Sequence, residues 1–155
     1  MLAPQTQPTP DLIFDTLNAY QRTAALKAAI ELDIFTVIGE GAATTAALGK
    51  RCGSAERGMR ILCDYMVILG FLTKQGDRYA LTPDSAAFLD TRSPQCISTC
   101  VSFMLAPEMV DSFKQFAEAV RQGASVMAGE ATVEPENPLW VEFARSMAAL
   151  QSLPA

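Results

Sequence analysis

The sequence predicts a mainly α fold: a winged helix-turn-helix with a small β-hairpin wing and additional N- and C-terminal helices. Three observations lead there, all between Thr44 and Leu81. Thr44 or Thr45 can cap a helix over residues 46–52, which Gly53 ends. Ser54 caps a second helix whose apolar residues recur at helical spacing as far as Leu69, where Gly70 stops it. Residues 71–74 and 78–81 then flank Gln75-Gly76-Asp77, a short glycine-containing loop that suits a hairpin.

Taken in order, residues 1–9 read as a flexible tail, and Thr9-Pro10 as N-cap and first helical residue. Residues 11–38 are almost unbroken helix material. Ile13, Leu17, Tyr20 and Ala24 form one stripe, which Leu26, Ile30, Ile34 and Val37 continue, with a bend near Arg22 or Asp33. Such a long helical entry suits dimerisation and packing within one chain equally well. Gly39-Glu40-Gly41 resembles a nucleotide-binding turn only superficially. Helical rather than strand periodicity precedes it, so it reads as a helix C-cap and loop.

The second helix of the helix-turn-helix decides what the motif is for. Met59, Leu62, Cys63, Met66 and Leu69 form one apolar stripe, and Ile61, Tyr65 and Ile68 form another. Only the arc of Glu56, Arg57, Arg60 and Asp64 is left for water, and its charges cancel. A groove-reading helix needs a free polar face, so this one is expected to be a scaffold packed on both sides. Downstream, Thr82-Pro83 caps a helix over 84–89, and residues 90–94 are a polar break. Pro107 opens an amphipathic helix with Met109, Phe113, Phe116, Ala117 and Val120 facing inward, ended by Gly123. A loop over 124–138 leads to a last helix from about Pro138, carrying Trp140, Phe143, Ala144, Met147 and Leu150. The domain organisation expected is a tail at 1–9, a helical dimerisation and winged-helix region at 10–94, and C-terminal helices at 95–155.

At 155 residues the chain is long enough for a sizeable core. Half of it is hydrophobic and only 19% charged, a balance that calls for another subunit or domain to cover apolar surface. The net charge is −5, the pI about 4.7, and no Lys/Arg cluster exists, which argues against nucleic acid as a partner. Cys52, Cys63, Cys96 and Cys100 form no CxxC, fall within predicted helices and read as reduced core thiols, as in a cytoplasmic protein. Two thiols four residues apart without a histidine make a poor zinc site, so no metal is expected. Neither a signal peptide nor an apolar run long enough for a membrane span is seen. The absence of any histidine removes the usual general base and the Ser/Cys–His pair. What the chain does contain is a Met- and aromatic-rich last third. Phe103, Met104, Met109, Phe113, Trp140, Phe143 and Met147 suit a pocket for a flat hydrophobic molecule, and they suit ordinary helix core as well.

From Leu12 to Leu150 the order of elements resembles the N-terminal region of SAM-dependent small-molecule O-methyltransferases of the plant and bacterial type. The segments that carry it are ALKAAIELDIFTVIGEG, TAALGKRCGSAERGMRILCDYMVILGFLTKQGDRYALTPDSAAFL, FMLAPEMVDSFKQFAEAVRQG and NPLWVEFARSM. The resemblance implies a winged-helix domain that forms an interlocked homodimer and lends side chains to the pocket of a hydrophobic or aromatic substrate. Phe143 and Met147 would face that substrate, as would Met104 and Leu105, with Trp140 as a neighbour. It also implies that S-adenosylmethionine and the catalytic base belong to a following Rossmann-like domain. This chain would then be an inactive fragment that binds no cofactor alone. In the full enzyme a base would take a proton from a hydroxyl whose oxygen attacks the SAM methyl in line. The alternative is a winged-helix transcriptional regulator with a hydrophobic effector pocket.

Overall fold

The break in the long N-terminal run falls at Asp33. In the computed structural model, which describes residues 8–124, α1 (Asp11–Glu31) ends at Leu32 and α2 (Ile34–Gly39) starts after Asp33, whose φ is 53°. Aspartate is among the few non-glycine residues that enter the left-handed region readily, so one residue turns the chain. Pro10, rather than Thr9, is the N-cap of α1. A proline lacking its own N–H is tolerated there because that donor has no helical acceptor.

The helix-turn-helix follows as expected, with one change in its turn. Thr44 accepts the Ala47 N–H at 3.3 Å and caps α3 (Thr45–Arg51). Gly53 takes φ 61°, and the Ser54 N–H returns to the Gly49 carbonyl at 2.9 Å, the two marks of a Schellman stop. Ser54 is therefore the tail of α3, its hydroxyl donating back to the Cys52 carbonyl at 3.1 Å, and Ala55 is the N-cap of α4 (Glu56–Ile68). The turn is tight because Gly49 has no side chain: a Cβ there would lie 2.8 Å from the Ser54 carbonyl. Gly70 ends α4 in the same way, at φ 85° with Phe71 N–H on the Met66 carbonyl.

β1 (Leu72–Gln75) and β2 (Arg78–Leu81) pair antiparallel with Leu72 opposite Leu81 and Gln75 opposite Arg78. Gly76-Asp77 is thus a two-residue hairpin loop, with the positive φ on its first residue. β2 is also held from its other edge, where the Tyr79 N–H reaches the Ala43 carbonyl at 2.8 Å. Thr82 and Ser85 form a capping box on α5 (Pro83–Phe88), and buried Ser85 also donates to the Phe71 carbonyl at 2.7 Å. α6 (Ser98–Met104), α7 (Pro107–Lys114) and α8 (Phe116–Gln122) complete the described chain.

The core lies where the end of α1, α2, α3, α4 and the wing meet. Ile34, Phe35, Leu48, Met59, Cys63, Met66, Leu72 and Tyr79 are almost completely buried. Phe35 meets Phe71 edge-on, ring centroids 6.3 Å apart.

Four expectations need correction. α4 is packed on one side only: Ile61 and Ile68 of its second stripe are exposed, because α1, α3 and β1 all cover the Met59–Cys63–Met66 side. The helix opened by Pro107 breaks at Gln115, whose N–H bonds three residues back to Ser112 instead of four. Its Phe113, Phe116, Ala117 and Val120 face outward rather than inward, while Met109 is half-buried. Of the cysteines only Cys63 and Cys100 lie within helices; Cys52 sits at a helix end and Cys96 in a turn. Most of the expected tail and the whole of the expected last helix, with Trp140, Phe143 and Met147, lie outside the described residues.

Candidate functional site

The ionisable groups that fold around the core are structural fasteners. Asp90 is 5% exposed and accepts three bonds from Arg92: the backbone N–H at 3.0 Å, Nε at 3.0 Å and Nη2 at 2.7 Å. This guanidinium pairing holds the Asp90 carboxyl below the usual carboxylate range. Gly39 makes room for the pair, since a Cβ at that position would collide with both side chains. Asp64 is pulled down likewise by bonds from Lys74 Nζ at 2.6 Å and the Tyr79 hydroxyl at 2.7 Å. Burial, aided by the Asp64 charge, pushes the Cys63 thiol up to about 12. A carboxylate held ionised and a thiol held protonated are unsuited to proton transfer or attack near neutral pH. Among the described residues no cluster of three metal-ligating side chains occurs.

The chain's unusual feature is apolar surface. From residue 11 to residue 24 every position of α1 is exposed, a stretch of about 20 Å at 1.5 Å per residue. It carries Leu12, Ile13, Phe14, Leu17 and Tyr20, each more than half exposed. Ile61 and Ile68 stand two turns apart on α4, and Phe113, Phe116 and Val120 line α7 and α8. Soluble monomers rarely leave this many large apolar side chains open, and helices that do so are built to be covered.

Beside this surface the end of α6 forms a second feature. Met104 is its last residue and is 64% exposed; Leu105 follows as the half-buried C-cap. Lys27 of α1 reaches the Leu105 carbonyl at 3.4 Å, tying the two elements together. A cleft of about 380 Å³ opens at this junction, lined by Tyr20, Thr23, Ala24, Lys27, Leu105 and Val110. A larger cleft of about 540 Å³ lies over the wing, with Ile38, Gly41, Thr73, Arg78 and Leu81 among its walls, and touches none of the expected site residues. Of those residues, then, Leu105 lines a cleft, and its neighbour Met104 is exposed at the end of α6 without lining it.

Sequence reasoning missed Lys27 and Val110. Lys27 had a visible signal, because it continues the Tyr20–Ala24 stripe at helical spacing and so sits on an otherwise apolar face. Val110 had none, since its place depends on how α7 leaves α6.

The described residues form a helical winged-helix scaffold whose second helix packs one side into the core and which leaves a long apolar face of α1 open. The chain belongs to the O-methyltransferase dimerisation domain family, whose model matches residues 14–91. It is 35% identical over 86 residues to the tetracenomycin polyketide synthesis 8-O-methyl transferase TcmO of Streptomyces glaucescens, covering 55% of this chain and 25% of that one. It is 27% identical over 128 residues to acetylserotonin O-methyltransferase of Rattus norvegicus, covering 82% and 29%. Among solved structures, a candidate O-methyltransferase from Nostoc punctiforme PCC 73102 shares 44% identity at a TM-score of 0.86, over 95% of this chain and 44% of that one. Human N-acetylserotonin methyltransferase, solved in complex with SAM, shares the fold at a TM-score of 0.77 and 21% identity, covering 98% and 48%. The chain therefore spans a third or less of the curated relatives' length, 33% at most among those matched. No helix among the described residues is long and apolar enough to cross a membrane.

Proposed function

We propose that this chain is the dimerisation and substrate-pocket-wall domain of a SAM-dependent O-methyltransferase acting on a hydrophobic or aromatic small molecule. The observation that carries the proposal is the open apolar half of α1 together with the open Ile61 and Ile68 on α4. A second copy of the chain, in a homodimer, is the cover that the family suggests for it. Residues 10–94 would supply that scaffold, and residues 95–155 would lead to a cofactor domain. Met104 and Leu105 would form part of the pocket wall, with Phe143, Met147 and Trp140 completing it.

The small-molecule half of the reading draws support from relatives named for such substrates, among them a 3-hydroxy-5-methyl-1-naphthoate 3-O-methyltransferase of Streptomyces sahachiroi, 30% identical over 115 residues. The described residues do not themselves fit S-adenosylmethionine. Their glycine-rich turn, Gly39 to Gly41, closes a helix instead of linking a strand to one, and the space over Gly39 is taken by Asp90 and Arg92. The cofactor is therefore assigned to the rest of the enzyme. Nucleic acid is not a proposed partner, because the exposed side of α4 mixes Glu56, Arg57 and Arg60 with Ile61 and Ile68. The acidic chain with its thiols is assigned to the cytoplasm.

Light scattering at micromolar concentration, with isothermal titration of S-adenosylmethionine alongside, tests this reading. The expected result is a dimer that gives no binding heat. A monomer, or tight cofactor binding, would contradict it.

A further inference from the structure

The cleft of about 540 Å³ over the wing lies apart from the face assigned to a second copy: residues 11–24, Ile61 and Ile68 line no part of it. One wall is the outer face of the hairpin. The register pairs Thr73 with Ala80 and Gln75 with Arg78, and directly paired residues share a face, so these four exposed side chains stand together. The other wall is the link from α2 to α3, with Ile38, Gly39, Gly41 and Ala43; the Tyr79 N–H ties it to β2 through the Ala43 carbonyl. Three of those four residues have no side chain beyond a methyl group. At Gly41, whose φ is 102°, a Cβ would meet only open space, so bare backbone borders the cleft there. Nearly buried Ile38 and half-buried Leu81 supply the apolar part of the lining, whereas the Tyr79 ring is only 2% exposed and offers no face for stacking.

The charge in this lining is unanswered. Among the described residues, Arg22, Arg51, Arg60, Arg92 and Arg121 each have a carboxylate within 4.0 Å; Arg57 and Arg78 have none, and of these two only Arg78 lines the cleft. No acidic residue lines it. Asp77 lies outside the lining, and Glu40, also outside, is held by Arg51. The Gln75 amide, opposite Arg78 across the strands, likewise bonds no other described side chain. A guanidinium presents two parallel N–H donors that match a carboxylate, and the volume falls within the roughly 300–1,000 Å³ of small-molecule sites. We propose that this cleft binds a small aliphatic carboxylate, its oxygens on the Arg78 guanidinium and the Gln75 amide N–H and its hydrocarbon body against Ile38, Ala80 and Leu81. The unpaired cation selects an acid, and the lack of an open ring in the lining selects an aliphatic body. This site is independent of the domain assignment and does not rest on it.

The test titrates the isotopically labelled 155-residue chain with hexanoate and with hexanamide, a neutral probe of the same length, and follows the backbone amide shifts by NMR at neutral pH. Hexanoate is expected to give saturable shifts at Gly41, Thr73, Gln75 and Ala80. It should bind about fivefold more tightly than hexanamide, a preference that shrinks as salt is raised. Arg78→Gln should erase the preference and leave hexanamide binding unchanged. Arg57→Gln, which removes the other unpaired arginine, should keep it, and thermal melts of both variants establish that they fold. Equal binding of the two probes, or a preference that survives in Arg78→Gln or is lost equally in Arg57→Gln, would overturn the proposal. Shifts that fail to saturate, or that centre on residues 11–24, would overturn it as well. The oligomeric state is read separately, so failure here leaves the domain assignment standing, and a monomer that passes removes only the dimer.

Discussion

Two parts of this molecule carry the same kind of sequence and meet different fates. In α4, Met59, Cys63 and Met66 recur at helical spacing and are almost completely buried; in α1, Ile13, Leu17 and Tyr20 recur at the same spacing and are more than 60% exposed. Periodicity states that a helix has an apolar face, and says nothing about what covers it. The first face is satisfied by the chain's own wing and helices. The second is left open among the described residues, and it is this open face that carries the proposed association.

The sharpest way to break this contrast is to damage the satisfied half. Phe35→Ala removes a ring that is 1% exposed and packed edge-on against Phe71. It should cost about 3–5 kcal/mol in urea unfolding, a large share of a small domain's stability. A loss below about 1 kcal/mol would mean that the centre of the core lies elsewhere.

The Asp90–Arg92 pair, which sits over Gly39 of α2 in the turn after α5, should matter less. Asp90→Asn keeps the shape but removes the charge that holds Arg92, at a cost of about 1–2 kcal/mol. The pH dependence fixes the sign. Asp90 has a lowered folded pKa, so its contribution is present in full above the ordinary carboxylate range and is lost as pH falls through that range toward the folded value. Asp64, held by Lys74 and Tyr79, acts in the same direction. The unfolding midpoint of the unaltered chain should be flat above about pH 5 and fall below about pH 4, and Asp90→Asn should flatten part of that fall.

How much of this was legible depends on whether the cause is local. Thr44, Gly53, Gly70 and the Thr82-Pro83 cap act within a few residues, so the helix-turn-helix, the wing and α5 could be placed from sequence. Ser54 misled because a serine before a helix has two uses, and the Gly49 carbonyl claimed its N–H for the preceding turn. Ile61 and Ile68 misled because burial is set by neighbours that the helix itself does not specify. At the candidate site, Met104 and Leu105 came from resemblance, whereas Lys27 is brought to Leu105 by tertiary packing across 78 residues.

The smallest effect on stability, and the most telling, belongs to the open half of α1. Leu17→Glu alters a side chain that is 62% exposed and should shift the intrinsic stability of the monomer by less than about 0.5 kcal/mol. Amide hydrogen exchange at two protein concentrations then tests the central claim directly. Protection over residues 11–24 should rise with concentration in the unaltered chain and stay low in Leu17→Glu, whose buried core amides over residues 34–38 should remain protected. Protection over residues 11–24 that is the same at both concentrations would contradict the claim that a second copy covers this face.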